Sequence, residues 1–229
     1  MRNLPAVLIV ADVETTGVTP DSKIVEVSLV EVDHSFKVIE SLSSYINPGC
    51  PIPPATSAVH HITDSMVKDA PSEEQFFHNL LGLKLNPTIF VAHNAAFDYQ
   101  FLGKHFHPDT VILDTLRLVR QLYPAPDVVE NHKLQTLRYT FGLDAGRAHS
   151  ADGDTMTLVS LLQFIAEDKG LDIAEMIELA SQRIEIKVWP FGKHKGTKVS
   201  DLPKDYVKWA LREMKTLDAD HRAALEAQL

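Results

Sequence analysis

Cysteine is almost missing from this chain. Cys50 stands alone in 229 residues, so no internal disulfide can form, and no Cys-x-x-Cys pair points to a zinc site. A lone thiol fits a reducing, cytoplasmic compartment. Long apolar runs are missing as well. No stretch reaches the roughly 18 residues that a membrane span needs, so no membrane segment is expected. Arg2 and the apolar residues 6–11 have the faint outline of a secretory leader. Asp12 and Glu14 cut that run short, and no small-residue cleavage site follows. Positive charge is scarce: 22 Lys and Arg face 31 Asp and Glu, a formal charge of -9. Taken as a sum, that argues against a polyanionic partner. No internal repeat or low-complexity segment is present.

The distribution of charge changes this picture. From Lys187 to Lys215 stand Lys187, Lys193, Lys195, Lys198, Lys204, Lys208, Arg212 and Lys215 against Asp201, Asp205 and Glu213. That window is +5 and the remainder is -14. A basic tail on an acidic body fits a metal enzyme with a polyanion-facing module. A solvated helix face with chance charge would give the same count.

With 45% hydrophobic residues the chain can bury a substantial core, and its length suits one ordinary domain with a small appendage. Residues 6–11 are continuously apolar and read as a central strand covered on both faces. Residues 23–32 alternate and read as a second strand, and 36–46 as a third, joined as antiparallel hairpins. Asn47-Pro48-Gly49 and Pro51-Ile52-Pro53-Pro54 break the pattern. Helices are expected over 72–83, 95–106, around Leu116 and Leu118, over 134–141 and over 150–166. In the last, Leu158, Leu161, Leu162 and Ile165 fall at helical spacing. Residues 88–92 and 111–113 read as further strands. The whole is an α/β fold with a mixed sheet, three antiparallel strands plus parallel ones, flanked by helices. The expected boundaries are 1–169 for the main domain, 170–186 for a linking helix and 187–229 for a small basic module.

Three segments carry chemistry. In Asp12-Val13-Glu14, strand parity sends both carboxylates to one face at the end of a buried strand. Two adjacent buried like charges are costly, and a divalent cation between them relieves the cost. A strand that simply ends in solvent is the plain alternative. Thr15-Thr16-Gly17 follows, a sharp turn whose N–H and hydroxyl groups could grip a phosphate or hydroxyl. His93-Asn94-Ala95-Ala96-Phe97-Asp98 opens a helix, with Asn94 as N-cap and Asp98 on the first turn. An acid there could equally serve the helix dipole. In His149-Ser150-Ala151-Asp152-Gly153-Asp154, residues five apart on one helix would sit about 140° apart. His149 and Asp154 can therefore meet only if Ser150 caps the helix and His149 precedes it. Of the other histidines, His34, His78, His105, His107, His132 and His221 read as surface residues.

D-x-E-T-x-G, H-N-A-x-F-D and H-x-A-x-x-D, in this order and spacing, resemble the DEDDh family of 3′→5′ exonucleases over about residues 7–164. Each motif is weak alone; together they are specific. The resemblance implies a ribonuclease-H-like fold. It implies that Asp12, Glu14, Asp98 and Asp154 ligate two divalent ions, Mg²⁺ or Mn²⁺, and that His149 is the general base. It also implies that Thr15, Thr16, Gly17, Val18, Asn94 and His60 of the His60-His61-Ile62-Thr63 segment meet the terminal nucleotide. Phe191-Gly192-Lys193-His194-Lys195-Gly196, Val199-Ser200-Asp201-Leu202 and Tyr206-Val207-Lys208-Trp209 resemble the C-terminal region of a stand-alone DNA-degrading member. There Lys193, Lys195 and Lys198 would hold phosphates. The expected partner is nucleic acid with a free 3′ end, DNA by resemblance, with a polymerase or repair protein as a further partner. Action on RNA, service as a proofreading subunit, or a silent binding scaffold are the rival readings. Sequence leaves oligomeric state open.

Overall fold

The computed structural model describes residues 4–78, 80, 82–143, 150–214 and 217–229. The chain divides into two compact units, Met1–Ser181 and Gln182–Leu229.

The first unit opens with β1 (Leu8–Thr15), β2 (Ile24–Val32) and β3 (Val38–Tyr45). Four short helices follow: α1 (Pro54–His60), α2 (Asp64–Val67), α3 (Glu73–His78) and α4 (Gly82–Leu85). Then come β4 (Ile89–Ala92), α5 (Ala95–Leu102), a 3₁₀ turn (Gly103–His105) and β5 (Val111–Asp114). Helices α6 (Thr115–Leu122), α7 (Leu134–Phe141), α8 (Ala151–Lys169) and α9 (Ile173–Ser181) complete it. The strand order is β3-β2-β1-β4-β5. The β1–β2 and β2–β3 pairs are antiparallel, and β1–β4 and β4–β5 are parallel. This is the mixed sheet flanked by helices that the hydrophobic pattern implies.

Strand parity sorts β1 between two cores. Leu8 and Val10 face one side, where Leu158, Leu161, Leu162 and Ile165 of α8 pack on them. Ile9, Ala11 and Val13 face the other, against Ala95, Phe101 and Leu102 of α5. Each fully buried aliphatic side chain contributes roughly 1.5–3 kcal/mol, so α8 is held on the sheet by its apolar stripe. Helix α9 packs on α6, and Arg117 Nε and Gln121 Nε2 donate to the carbonyls of Ala180 and Leu179 at 2.8 and 3.0 Å.

Several local expectations fail for identifiable reasons. The proline-rich break conceals α1: Pro53 takes the N-cap position and Pro54 starts the helix, where a missing N–H costs nothing. The single helix over 72–83 is instead α3 and α4. The Leu80 N–H closes on the Phe77 carbonyl at 3.0 Å, a tight i→i−3 turn that ends α3. Phe36 does not start β3; it sits in the preceding turn with φ 61° while its ring is buried.

The second unit holds 3₁₀ turns at Gly192–His194 and Val199–Asp201, then α10 (Lys204–Glu213) and α11 (Ala219–Glu226). Its core gathers Trp189, Val199, Leu202, Val207, Ala210 and Leu225. His221 is not a surface residue. It is buried, its Nδ1 lies 2.7 Å from Asp218 Oδ1, and its ring lies 5.0 Å from that of Phe191. Asp218 is the N-cap of α11, so the cap that starts the helix also fixes the imidazole. Among the described residues, no helix is long and apolar enough to cross a membrane.

Candidate active site

Asp12 and Glu14 continue the side of β1 that Leu8 and Val10 define, so both point toward the α8 face. Asp154 lies on the first turn of α8. One carboxylate oxygen from each of Asp12, Glu14 and Asp154 lies within 4.8 Å of the others. Two unit charges about 5 Å apart at an effective dielectric of about 20 repel by roughly 3 kcal/mol. Three such groups are therefore strained unless protons or cations join them.

Asp98 arrives from the other face. It is 3% exposed on α5, and its Oδ1 accepts the Val13 N–H at 3.2 Å. That N–H is available because β1 pairs with β4 only as far as Val10 and Val91. Beyond that point the strands part, which opens the carboxyl end of the sheet where ligands of such sheets bind. Asp98 lies outside the three-carboxylate set. Its charge is nevertheless the largest carboxylate influence on Asp12.

The electrostatics follow from this crowding. Burial, then the charges of Asp98, Glu14, Asp154 and Glu26, hold Asp12 well above the usual carboxylate range. Burial first, then Asp154 and Glu26, raise Glu14 to about 7. Burial raises Asp98 to about 8; hydrogen bonds from Val13 N–H and its own N–H oppose this, and Asp114 and Glu14 add to it. A carboxylate-rich, desolvated set with raised proton affinity suits a hard divalent cation, for which oxygen donors are the natural ligands.

Two residues that sequence reasoning passed over belong to this neighbourhood. Glu26 pairs with Glu14 across β1 and β2, is 7% exposed, and its Oε2 accepts the Ala151 N–H at 2.9 Å. It therefore satisfies a free donor at the start of α8 and complements the helix dipole. Ser28 lies on the same side, bonded to Thr155 Oγ1 at 2.9 Å and to Ser43 at 2.9 Å. The alternation of β2 puts Glu26 and Ser28 on what reads as its solvent side, yet α8 covers that side. The second residue is Gln135 on α7, whose Nε2 donates to Asp154 Oδ1. Nothing in its sequence context distinguishes it from a surface glutamine.

The remaining sequence candidates fall into three groups. Thr15 donates its hydroxyl to the Gly17 carbonyl, and Thr16 exchanges bonds with Lys23, so this turn is braced internally. Gly17 does not have a positive φ, and a Cβ there would meet Ser22 Oγ at 2.8 Å, a hydroxyl that can rotate aside. Val18 is 79% exposed beside it. His60 is buried, its Nδ1 accepts the Ile62 N–H at 3.0 Å, and burial lowers its pKa while the Thr15 backbone partly offsets this. Asn94 occupies the N-cap position of α5 but does not cap with its side chain. Its φ of 76° is left-handed, a region Asn tolerates, and its N–H donates to Asp114 Oδ1 at 3.1 Å. Lys193, Lys195 and Lys198 are exposed in the second unit. His149 lies outside the described residues. Ser150 has the extended backbone of the α8 N-cap, as the sequence requires.

A carboxylate cluster at the open end of a mixed sheet is an arrangement suited to a divalent cation and to the hydrolytic chemistry such a cation supports. The family model described as Exonuclease (RNase_T) matches residues 9–162. The chain belongs to that exonuclease family. A second family model, named for a quorum-sensing-regulated virulence factor, matches residues 174–214. The chain is 36% identical over 163 residues to a DNA polymerase III subunit epsilon-like protein of Rhodobacter capsulatus, covering 65% of this chain. It spans only 22% of that longer protein. It is 28% identical over 224 residues to exodeoxyribonuclease 10 of Escherichia coli strain K12, covering 96% of this chain and 97% of that one. A solved structure of exonuclease X with 5′-overhanging duplex DNA superposes with a TM-score of 0.63 at 28% identity, covering 76% of this chain and 99% of that chain.

Proposed function

We propose that the chain is a 3′→5′ exodeoxyribonuclease that removes 5′-mononucleotides from DNA ends, in repair or end processing. The observation that carries this is the convergence of Asp12, Glu14 and Asp154 with Asp98 beside them, on the fold of a nuclease family. Asp12, Glu14, Asp98 and Asp154 would hold two divalent cations, Mg²⁺ or Mn²⁺. When bound, such ions neutralise the carboxylates, acidify water and stabilise charge on the reacting phosphate. His149, which precedes the α8 N-cap Ser150 in the sequence, takes the proton of the attacking water. The Thr15–Gly17 turn, with Val18, His60 and Asn94, receives the terminal nucleotide. The internal bracing of that turn supports the reading, because a preformed cradle loses little entropy when a strand end enters it. Lys193, Lys195 and Lys198 hold substrate phosphates.

Gln135 has a specific part in this scheme. By donating to Asp154 Oδ1 it fixes which oxygen and lone pair remain for the ion. Partners of this kind are typically worth about 10–100-fold in metal affinity. Gln135→Ala is therefore expected to raise the Mg²⁺ concentration for half-maximal activity roughly tenfold, with activity recovered at saturating Mg²⁺. An unchanged metal requirement would remove Gln135 from the scheme.

The match along 96% of the chain to an exodeoxyribonuclease supports a stand-alone DNA enzyme. The epsilon-like relative favours a second reading, a proofreading partner of a polymerase. A time course on matched DNA and RNA oligonucleotides, with and without EDTA, tests the proposal. DNA shortened from its 3′ end faster than RNA, with no reaction in EDTA, is the expected result. Metal-independent cleavage, or a clear preference for RNA, would reject it. Co-purification with a polymerase would favour the second reading.

A further inference from the structure

The second unit carries an open cavity of about 630 Å³, lined by Lys193, His194, Pro203, Asp205, Tyr206 and Trp209 among others. The volume is that of a small-ligand site. Its walls are aromatic. The Tyr206 ring centroid lies 4.3 Å from that of His194 and 5.5 Å from that of Trp209, with 31° between the Tyr206 and Trp209 planes. Tyr206 is fixed from below, because the buried Trp189 donates its indole N–H to the Tyr206 hydroxyl at 2.9 Å. Trp209 leaves 45% of its surface to solvent.

An exposed tryptophan alone means little. Its surroundings are what give it direction. Lys193 Nζ lies 5.9 Å from the Tyr206 ring centroid at the rim. Among the described residues, Lys195, Lys198, Lys204 and Lys208 form no ion pair, whereas Lys187 and Arg212 pair with Glu185 and Glu213. Lys193, which forms no ion pair among the described residues, lines the cavity itself, so a phosphate and a flat base are accommodated together there.

We propose that this cavity is a base-stacking site for single-stranded nucleic acid. Trp209 and Tyr206 take an unpaired base, and Lys193 takes its phosphate. The inference rests on the reading that the chain processes a nucleic-acid strand, and it adds a second, non-catalytic contact with that strand. Stacking on an aromatic side chain tolerates any base, because every base has a π-face.

The test uses the full chain in EDTA, which stops hydrolysis, and three probes: an oligo-dT strand, an abasic strand of equal length, and an oligoglutamate peptide. The natural strand should bind on the order of tenfold more tightly than the abasic one, since stacking on one aromatic is worth that order of effect. Trp209→Ala should bring this ratio near one, with the salt dependence unchanged. Trp209→Phe should restore most of the ratio, which guards against a folding artefact. Lys193→Gln should do the reverse, lowering the salt slope by roughly 0.7 while keeping the ratio. Because Trp189 is fully buried, quenching of tryptophan emission by oligo-dT should vanish in Trp209→Phe. A ratio near one in the wild-type protein, or a full ratio in Trp209→Ala, overturns the proposal. So does tighter binding of oligoglutamate than of oligo-dT, which would assign the cavity to an acidic protein partner. Nuclease activity of the same preparation in Mg²⁺ separates the two claims. If it persists while the ratio is one, only the cavity assignment falls; if it is absent, the functional reading falls.

Discussion

Asp12→Asn should lower turnover by at least about 10³-fold while making the metal-free protein more stable. The two effects come from one cause. Asp12 lies amid the charges of Asp98, Glu14, Asp154 and Glu26, and burial strengthens all of them. An amide keeps the shape and removes one charge. The site then binds cations poorly and loses several kcal/mol of transition-state stabilisation, each 1.36 kcal/mol of which is about tenfold in rate. With EDTA present, relief of repulsion should raise the melting midpoint by several degrees, since about 1 kcal/mol moves a domain of this size by roughly 2–4 °C. Activity and melting curves on one preparation check both. Turnover within tenfold of wild type would contradict the metal role. Loss of activity with a lowered midpoint would point to misfolding instead.

His149→Ala should cost about 10²–10⁴-fold in the single-turnover rate, the usual worth of a general base, with DNA affinity nearly unchanged. Raising pH should partly recover the variant, because hydroxide becomes more abundant while the wild-type rate levels off once the imidazole is neutral. Rapid-quench measurements across pH 6–9 would show this. Equal single-turnover rates for the two proteins would assign the proton transfer elsewhere.

The legible parts of the site are those set by local periodicity. Asp12 and Glu14 can be placed on one face because a strand alternates, and Asp154 because its helix has a clear apolar stripe and a serine before it. What escaped is what depends on distant partners. Glu26 caps the start of α8 from 125 residues away. Gln135 reaches Asp154 from a separate helix. Neither contact leaves a periodic trace. Sequence alone assigns Asn94 a side-chain cap, whereas in the structure it takes a left-handed backbone, and Asn is suited to both roles. Helix α1 was hidden because proline signals both a break and a helix start. The mixed character of the sheet was legible from the early hairpins and the later helical crossovers, whereas its order, β3-β2-β1-β4-β5, rests on long-range pairing that leaves no local trace.

The central claim is that these carboxylates are gathered to hold cations. Their raised proton affinities make it measurable without any substrate. In EDTA the folded chain keeps protons on Asp98 and Glu14 up to pH about 8 and 7, whereas the unfolded chain releases them near 4. At these two groups the folded state therefore binds more protons over that window, and their contribution to stability falls as pH rises from 5 to 8; His60, His93 and His132, whose pKa values burial lowers, act in the opposite sense at the acid end. Melting the full chain at pH 5 and pH 8, with EDTA and then with Mg²⁺, is the direct test. The account predicts that saturating Mg²⁺ raises the midpoint by several degrees at pH 8 and by much less at pH 5, where protons already neutralise the carboxylates. A midpoint indifferent to both pH and Mg²⁺ would contradict it.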